Sequence, residues 1–435
     1  MTKKLLLSCI VFIAPLCQLP SQPRQLTIEE MFRLADENSK SIRLRNLAID
    51  EAQQNIKVAQ NGLLPSIKAQ AEIRYIGDGV MTDRNFSGGE HASLPHLGNS
   101  LVIEASQVIY AGGAISKNIR QSKLQKEQAE LEYDRNRQDI RFLLTGYYLD
   151  LVQLGNQKLV YEKNIEQTEL LVKDMRASYR QGTVLKSDIT RYELQLQNLE
   201  LALTNVEDRI NILSHKLSTT IGLPPNTIIR PDTAELSRTI IENHEEEHWM
   251  RLMHNAPSVR LPELEVRLSE NKQDLLKAEK RPLIKFVAAN DLAGPILTEI
   301  PPLDNNFTYW YAGVGVSYNI DALFKTGKKL KKNRLTTLKL QEACELTKEE
   351  TGNDIHEAYI NLHEAYIRLN TQKKSVQLAH ENFNIIRQRY VNGLSLITDM
   401  LDASNTQLDM ELQLTNCQID ILYQYYLLKK LTGVL

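Results

Sequence analysis

Asp399 and Asp402 stand three residues apart at the start of a helical pattern, so their carboxylates share one helix face. Carboxylates crowded towards one axis by several copies of a chain attract cations and resist joint ionisation. The same two residues also suit a helix start, Asp399 as N-cap and Asp402 as a first-turn acid. The two roles are compatible. The pair follows the turn Tyr390-Val-Asn-Gly393-Leu-Ser-Leu-Ile-Thr-Asp399, and an earlier turn, Tyr179-Arg-Gln-Gly182-Thr-Val-Leu-Lys-Ser-Asp188, has the same spacing. There the residue three places after Asp188 is Arg191, a cation available for a salt link between turns.

A second set of residues could bind metal. His244-Glu-Glu-Glu-His248 matches the His-Glu-x-x-His string, which on a helix puts two imidazoles on one face with a carboxylate between them. No third ligand follows, and the surrounding acids predict a solvated acidic helix. His356-Glu357 and His363-Glu364 lie seven apart and so on one helix face, where a heptad surface accounts for them as well as a metal would. No cofactor and no resident metal are expected, and no Ser-His-Asp or Cys-His arrangement can be drawn.

The two turns are positioned by long helical patterns. Gly182 and Gly393 are natural C′ residues that stop a helix in a left-handed conformation. Each turn therefore reads as the tip of an antiparallel helical hairpin. Ile355, Ala358, Leu362, Ala365 and Leu369 are spaced 3,4,3,4, as are Val376, Ala379, Phe383, Ile386 and Tyr390. Leu199, Leu203, Val206, Ile210, Leu213 and Leu217 continue the heptad in the first half. No proline interrupts 115–179, so that arm extends on the order of 100 Å at the helical rise. The exposed tip residues Thr183, Val184, Leu185, Leu394, Ser395 and Leu396 are apolar for a solvated turn. They suit docking against another protein or packing inside the hairpin.

The second half repeats the first. Asn38, Ser41 and Pro65 recur as Asn255, Ser258 and Pro282; Gly182, Asp188 and Gly222 recur as Gly393, Asp399 and Gly433. Each repeat opens with a helix. The first has Thr27 as expected N-cap and Glu30 closing a capping box, and runs to about Gly62. Two strands with period 2 follow. In the first repeat these are Ile67 to Tyr75 and roughly Leu101 to Tyr110, with a Gly-rich loop over 77–98. In the second, Ile284, Phe286 and Ala288 alternate, and after a loop over 294–306 Trp310, Ala312, Val314, Val316, Tyr318 and Ile320 form an apolar row. The domain expectation is 1–21 signal peptide, 26–223 first repeat, 224–254 linker and 255–435 second repeat.

Lys3 and Lys4 precede an apolar run from Leu5 to Leu16, the length of a signal-peptide core. Cys17 either is a lipidated first residue or leaves with the peptide. No later stretch is apolar enough for a spanning helix. Net charge is −2, which gives no reason to expect nucleic acid. Gly and Pro are sparse and Leu, Gln, Glu and Lys common, a helical composition. Cys344 and Cys417 read as buried thiols rather than a disulfide framework. Four amphipathic strands cannot close a barrel, and an open edge cannot face lipid. If they cross a membrane, several chains must pool them.

The duplicated plan resembles the TolC-like outer membrane efflux proteins. The residues that carry the likeness are the capped start Leu26-Thr27-Ile28-Glu29-Glu30, the strand entry Leu63-Leu64-Pro65-Ser66, the stretches Tyr147-Tyr148-Leu149-Asp150-Leu151 and Ala358-Tyr359-Ile360-Asn361-Leu362, and both tips. The likeness covers nearly the whole mature chain. It implies a mainly α fold with a small β part: a homotrimer with a 12-stranded transmembrane β-barrel continued by a 12-helix periplasmic α-barrel. It implies no enzymatic activity. The expected role is the exit duct of a tripartite efflux or type I secretion system in the outer membrane of a Gram-negative bacterium. The implied partners are outer membrane lipid, a periplasmic adaptor (membrane fusion) protein and an inner-membrane pump of RND, ABC or MFS type. Gly182, Thr183, Val184, Leu185, Asp188, Gly393, Leu394, Ser395 and Leu396 would meet the adaptor. Asp399 and Asp402 would form the periplasmic gate. Tyr75, Trp310 and Tyr318 would be membrane-interface aromatics. A soluble periplasmic coiled-coil scaffold is the alternative, and a zinc protease at His244 and His248 a distant third.

Overall fold

The computed structural model describes residues 24–232, 244–299 and 301–435. The expected signal peptide over 1–21, with Cys9 and Cys17, lies outside them, as does part of the expected linker. The chain divides into two compact units, and each draws on both sequence repeats. One comprises 24–43, 136–253 and 352–435 of the described chain; the other comprises 44–135 and 254–351.

In the first unit, β1 (Arg24–Leu26) pairs in parallel with β2 (Ile229–Pro231), which belongs to the segment expected to be a linker. The buried Tyr148 ties the pair together: its hydroxyl donates to Leu26 O at 2.9 Å and accepts from Asp232 N at 2.9 Å. The helix α1 (Ile28–Asn38) begins with Thr27 Oγ1 accepting from Glu30 N at 3.1 Å. Only this half of the expected capping box forms, because the Glu30 carboxylate turns to Arg24 at 2.6 Å instead. The helix expected to continue to Gly62 also breaks. Buried Ser39 adopts an extended conformation, and Lys40–Gln60 forms a separate helix, α2. Asn38 bonds back to Leu34 O at 3.0 Å, a local side-chain bond of the kind that competes with helix continuation.

Two long hairpins follow the expected pattern. Helix α3 (Ala114–Arg180) leads through the first tip into α4 (Lys186–Thr220). The second hairpin pairs α7 (Asp321–Val391) with α8 (Ile397–Leu431). Lys158–Glu207 at 2.7 Å and Arg176–Glu193 at 2.5 Å run antiparallel between α3 and α4. The heptad residues Ile355, Ala358, Leu362 and Ala365 are buried, as are Leu199, Val206 and Leu217. One seam slot is polar: buried Gln372 donates to Met410 O at 3.1 Å, satisfying an amide that an apolar seam would otherwise strand. Between the hairpins lie α5 (Glu246–Met253) and α6 (Pro257–Ala278).

The second unit carries a four-stranded antiparallel sheet. In chain order its strands are β3 (Ser66–Tyr75), β6 (Leu97–Tyr110), β7 (Leu283–Gly294) and β8 (Phe307–Ser317), and they neighbour one another in that order. The loop expected over 77–98 contains a small hairpin, β4 (Gly79–Met81) with β5 (Glu90–Ala92). Both β3 and β8 are edge strands. The register aligns the alternation across all four. Ala69, Ile103 and Asn290 stand in one row with Trp310, and Ile67, Ala105, Ala288 and Ala312 in the next. The face thus formed is mostly apolar and well exposed: Ile67, Ile73, Trp310, Val314 and Val316 among others. The other face carries Lys68, Gln70, Glu72, Glu104 and Asp291. A β-bulge between Val108 and Tyr110 brings Tyr110 rather than Ile109 opposite Ile284. Tyr318 and Ile320, expected in the last strand, lie beyond its end at Ser317, because the chain is already turning into α7 at Asp321. All four helix connections leave the sheet at one end, its helical end; both loops lie at the other.

Candidate functional site at the paired tips

Both tips close by the same hydrogen-bonded motif. Gly182 N donates to Tyr179 O at 2.9 Å and Thr183 N to Ser178 O at 3.1 Å; Gly393 N donates to Tyr390 O at 2.9 Å and Leu394 N to Arg389 O at 2.8 Å. This is the Schellman pattern, which satisfies the last carbonyls of a helix and requires a left-handed residue at C′. The glycines supply it, with φ of 78° at Gly182 and 72° at Gly393.

The aspartates sit three positions further into their helices than expected. The N-caps of α4 and α8 are Leu185 and Leu396, and Asp188 and Asp399 are third-position residues. Leucine has no side-chain acceptor, so the reciprocal half of a capping box is absent. The Asp399 carboxylate still reaches back, accepting from Ser395 Oγ at 2.8 Å and from Leu396 N at 3.0 Å. Those two bonds, the serine first, hold its pKa below the usual carboxylate value. In the first tip Ser187 Oγ lies 3.5 Å from the Asp188 carboxylate.

The two tips share a core. Val172, Met175, Ile189 and Tyr192 of the first hairpin pack with Ile397 and Met400 of the second, flanked by Val184, Phe383, Ile386 and Tyr390. Burial pushes up the Tyr390 phenol, and the negative charge of Asp188 pushes it further, which couples the first tip to the second. Tyr192 is buried and its hydroxyl has no hydrogen-bond partner among the described residues. Burial, then Tyr390, raises its pKa far above the ordinary value. Leu185, Leu394 and Leu396 remain exposed, as do Thr183 and Asp402. Ser395 is half-buried, and so is Val184, which the core takes in. Arg191 and Asp402 line one groove of about 290 Å³ with Leu194, Gln195, Thr398 and Asn405, and Gln195 donates to Asn405 Oδ1 across it at 2.9 Å. Sequence spacing brought out the glycines and aspartates. It did not bring out Ser395 as a carboxylate partner or Tyr192 as the buried centre of the tip; only the heptad position of Tyr192 hints at burial.

The histidine string is built differently from the expectation. His248 lies on α5, but His244 precedes the helix, so the two are not successive residues of one helical face. Their rings stack at 4.0 Å, beside Trp249. The helix is not a solvated one either: Trp249 and Met253 are buried, and Trp249 packs edge-on against Tyr425. His356 Nδ1 meets Glu246 Oε1 at 2.8 Å. Among the described residues no group of three or more His, Cys, Asp or Glu is arranged to hold a metal. Among them, too, no helix is long and apolar enough to cross a membrane.

The fold and the duplicated tips define a mainly helical class of protein with a small antiparallel sheet. The model of the outer membrane efflux protein family matches residues 32–223 and 251–434, and the chain belongs to that family. Membership places it in the outer membrane with a periplasmic part, among TolC-like efflux proteins. The outer membrane efflux protein BepC of Brucella suis biovar 1 (strain 1330) is 23% identical over 216 residues, covering 50% of this chain and 44% of that protein. The chain thus matches less than half the length of this relative. Among solved structures, a membrane protein from Pseudomonas aeruginosa has a TM-score of 0.78 at 12% identity, covering 93% of this chain and 92% of that one. The outer membrane protein VceC of Vibrio cholerae has a TM-score of 0.75 at 14% identity, covering 93% and 96%. The CmeC outer membrane channel of Campylobacter jejuni has a TM-score of 0.73 at 12% identity, covering 94% and 85%.

Proposed function

We propose that this protein is the outer-membrane exit duct of a tripartite efflux or type I secretion system. The observation that carries the reading is the sheet: four strands, two edges unpaired among the described residues and one mostly apolar face. Exposed edges invite pairing with another chain, and lipid tolerates a sheet only when it is closed. Three copies joined edge to edge give twelve strands and a homotrimeric barrel, and their helices continue as a twelve-helix tunnel in the periplasm. The repeats, 26–223 and 255–435, each contribute two strands and one hairpin, joined through 224–254. Tyr75 and Trp310 then meet the membrane interface at the loop end of the sheet and Tyr318 at the helical end.

The tips form the periplasmic mouth in this reading. Leu185, Leu394 and Leu396 meet hairpins of a periplasmic adaptor, which couples the duct to an inner-membrane pump of RND, ABC or MFS type. Asp402, with Asp399 behind it, forms the anionic constriction, and Arg191 across the groove supplies a link that holds the tips shut. A scaffold without a membrane role has no use for the exposed apolar face of the sheet. The test is conductance: purified protein added to a planar bilayer gives discrete ohmic channels. A protein recovered from osmotic-shock fluid that forms none contradicts the reading.

A further inference from the structure

Helix α7 begins directly below the helical end of the sheet, with Asp321 in its first turn and a run of cations after it. Between Ala322 and Gln341 it carries seven basic residues and no acidic one. The repeat shows the same bias. Helix α3, which follows β6, carries Lys117, Arg120, Lys123 and Lys126 before its first acid, Glu127. Some of these cations are neutralised within the fold: Lys325 by Asp321, Lys329 by Glu279 at 2.9 Å and Lys117 by Asp274 at 2.6 Å. Lys328, Lys331 and Lys332 are exposed and carry no ion pair among the described residues.

The chain just above these lysines is apolar and open. Tyr318, Ile320 and Phe324 are exposed where β8 gives way to α7, and Leu63 and Leu64 are exposed at the entry to β3. Both groups lie at the helical end of the sheet. An apolar collar above a belt of cations is complementary to one surface, the boundary where acyl chains meet anionic headgroups. Lysine stems lie along apolar surface while their ammonium groups reach that layer.

We propose that the helical end of the sheet is a binding surface for anionic phospholipid, with Lys328, Lys331 and Lys332 holding the phosphates and Phe324 seated among the acyl chains. The proposal rests on the reading of the sheet as membrane-spanning. A juxtamembrane cation contributes about a fivefold preference for an anionic surface, fading within a Debye length.

The experiment uses the full-length protein incorporated into vesicles of phosphatidylcholine alone or with phosphatidylglycerol as a minor component. Lipid retained after detergent extraction is identified by mass spectrometry. Wild type retains phosphatidylglycerol out of proportion to its share, and less of it at high salt. The variant Lys328→Gln/Lys331→Gln/Lys332→Gln, with unchanged circular dichroism, loses that enrichment by about tenfold or more. The Lys→Arg counterpart keeps it, and Lys373→Gln/Lys374→Gln further along α7 also keeps it. Equal enrichment in wild type and the triple Gln variant overturns the proposal, as does a triple variant that changes the oligomeric state and not the lipid, which makes the patch a contact between copies. Insertion is scored separately by resistance to alkaline extraction. Failure of wild type to insert in either vesicle refutes the membrane-spanning sheet; insertion without headgroup preference refutes only the lysine surface.

Discussion

Ser395 donates its hydroxyl to the Asp399 carboxylate at 2.8 Å, so one of the two acids at the second tip is committed to its own turn. Asp402, one turn further along α8, is exposed in the groove it shares with Arg191. The two carboxylates should therefore separate by mutation. In single-channel recordings, Asp402→Asn weakens cation preference and cation block more than Asp399→Asn does. Both substitutions together weaken them most. Selectivity unchanged in the double variant would leave these residues as helix-start chemistry only.

The committed acid has a pH signature. The folded-state pKa of Asp399 is held below 3.8, so its contribution is present above that value and is lost as pH falls through the folded one. Protease nicking at the second tip should stay constant from neutral pH down to about pH 4 and rise below it in wild type. Asp399→Asn should be nicked more readily at neutral pH and show less change on acidification. A wild-type tip that loosens near neutral pH contradicts this account.

A stronger acid-sensitive contact lies elsewhere in the same unit. Asp36 accepts from Arg137 Nη2 at 2.8 Å and from Arg141 Nη2 at 2.5 Å, and Arg141 also donates to Leu435 O at 3.2 Å. Burial alone would raise the Asp36 pKa, but the two guanidinium groups outweigh it and the net shift is downward. Asp36→Asn should cost about 1–2 kcal/mol of stability at neutral pH, the range for half-exposed charge-assisted bonds. The penalty should shrink below the ordinary aspartate pKa, where the wild-type group is also protonated. Thermal unfolding across pH measures both.

Two glycines with the same backbone sign should respond differently to alanine. At Gly182 an added Cβ meets nothing within 4 Å, so only the left-handed strain of about 1 kcal/mol applies. At Gly222, with φ of 76°, the Cβ would fall 2.5 Å from Asn38 Cβ. Overpacking adds about 1–3 kcal/mol there. Gly222→Ala should lower the unfolding midpoint clearly more than Gly182→Ala; equal shifts would mean that the Asn38 contact yields freely.

Much of this was legible in the chain, and the reasons are local. Schellman glycines, heptad spacing and strand alternation are short-range signals, so Gly182, Gly393, the Ile355–Leu362 seam and the rows through Ile67 and Trp310 could be read directly. The break at Ser39 could not, because it turns on the Asn38 side chain bonding back to Leu34 O, one of several partners open to an asparagine at that place. The diversion of Glu30 to Arg24 likewise required the chain start to be folded back against β2. Trp249 looked solvated among acids because its apolar partner, Tyr425, is remote in sequence. The three-position offset at the aspartates is of another kind: leucine at an N-cap gives no sequence signal, and the acid three residues on attracts the assignment.

The edges of the sheet carry the central claim, and cysteine cross-linking between copies tests it most directly. Cys344 and Cys417 are first replaced, both being free and buried. Ala69→Cys on β3 is then paired in turn with cysteine at Trp310, Ala312 and Val314 on β8, the strand at the opposite edge of the same sheet. The account predicts that oxidation in intact outer membranes yields, for at least one pairing, covalent dimers and trimers and no larger species. Chains that remain monomeric in every pairing, while staying folded, would contradict a barrel assembled from three sheets.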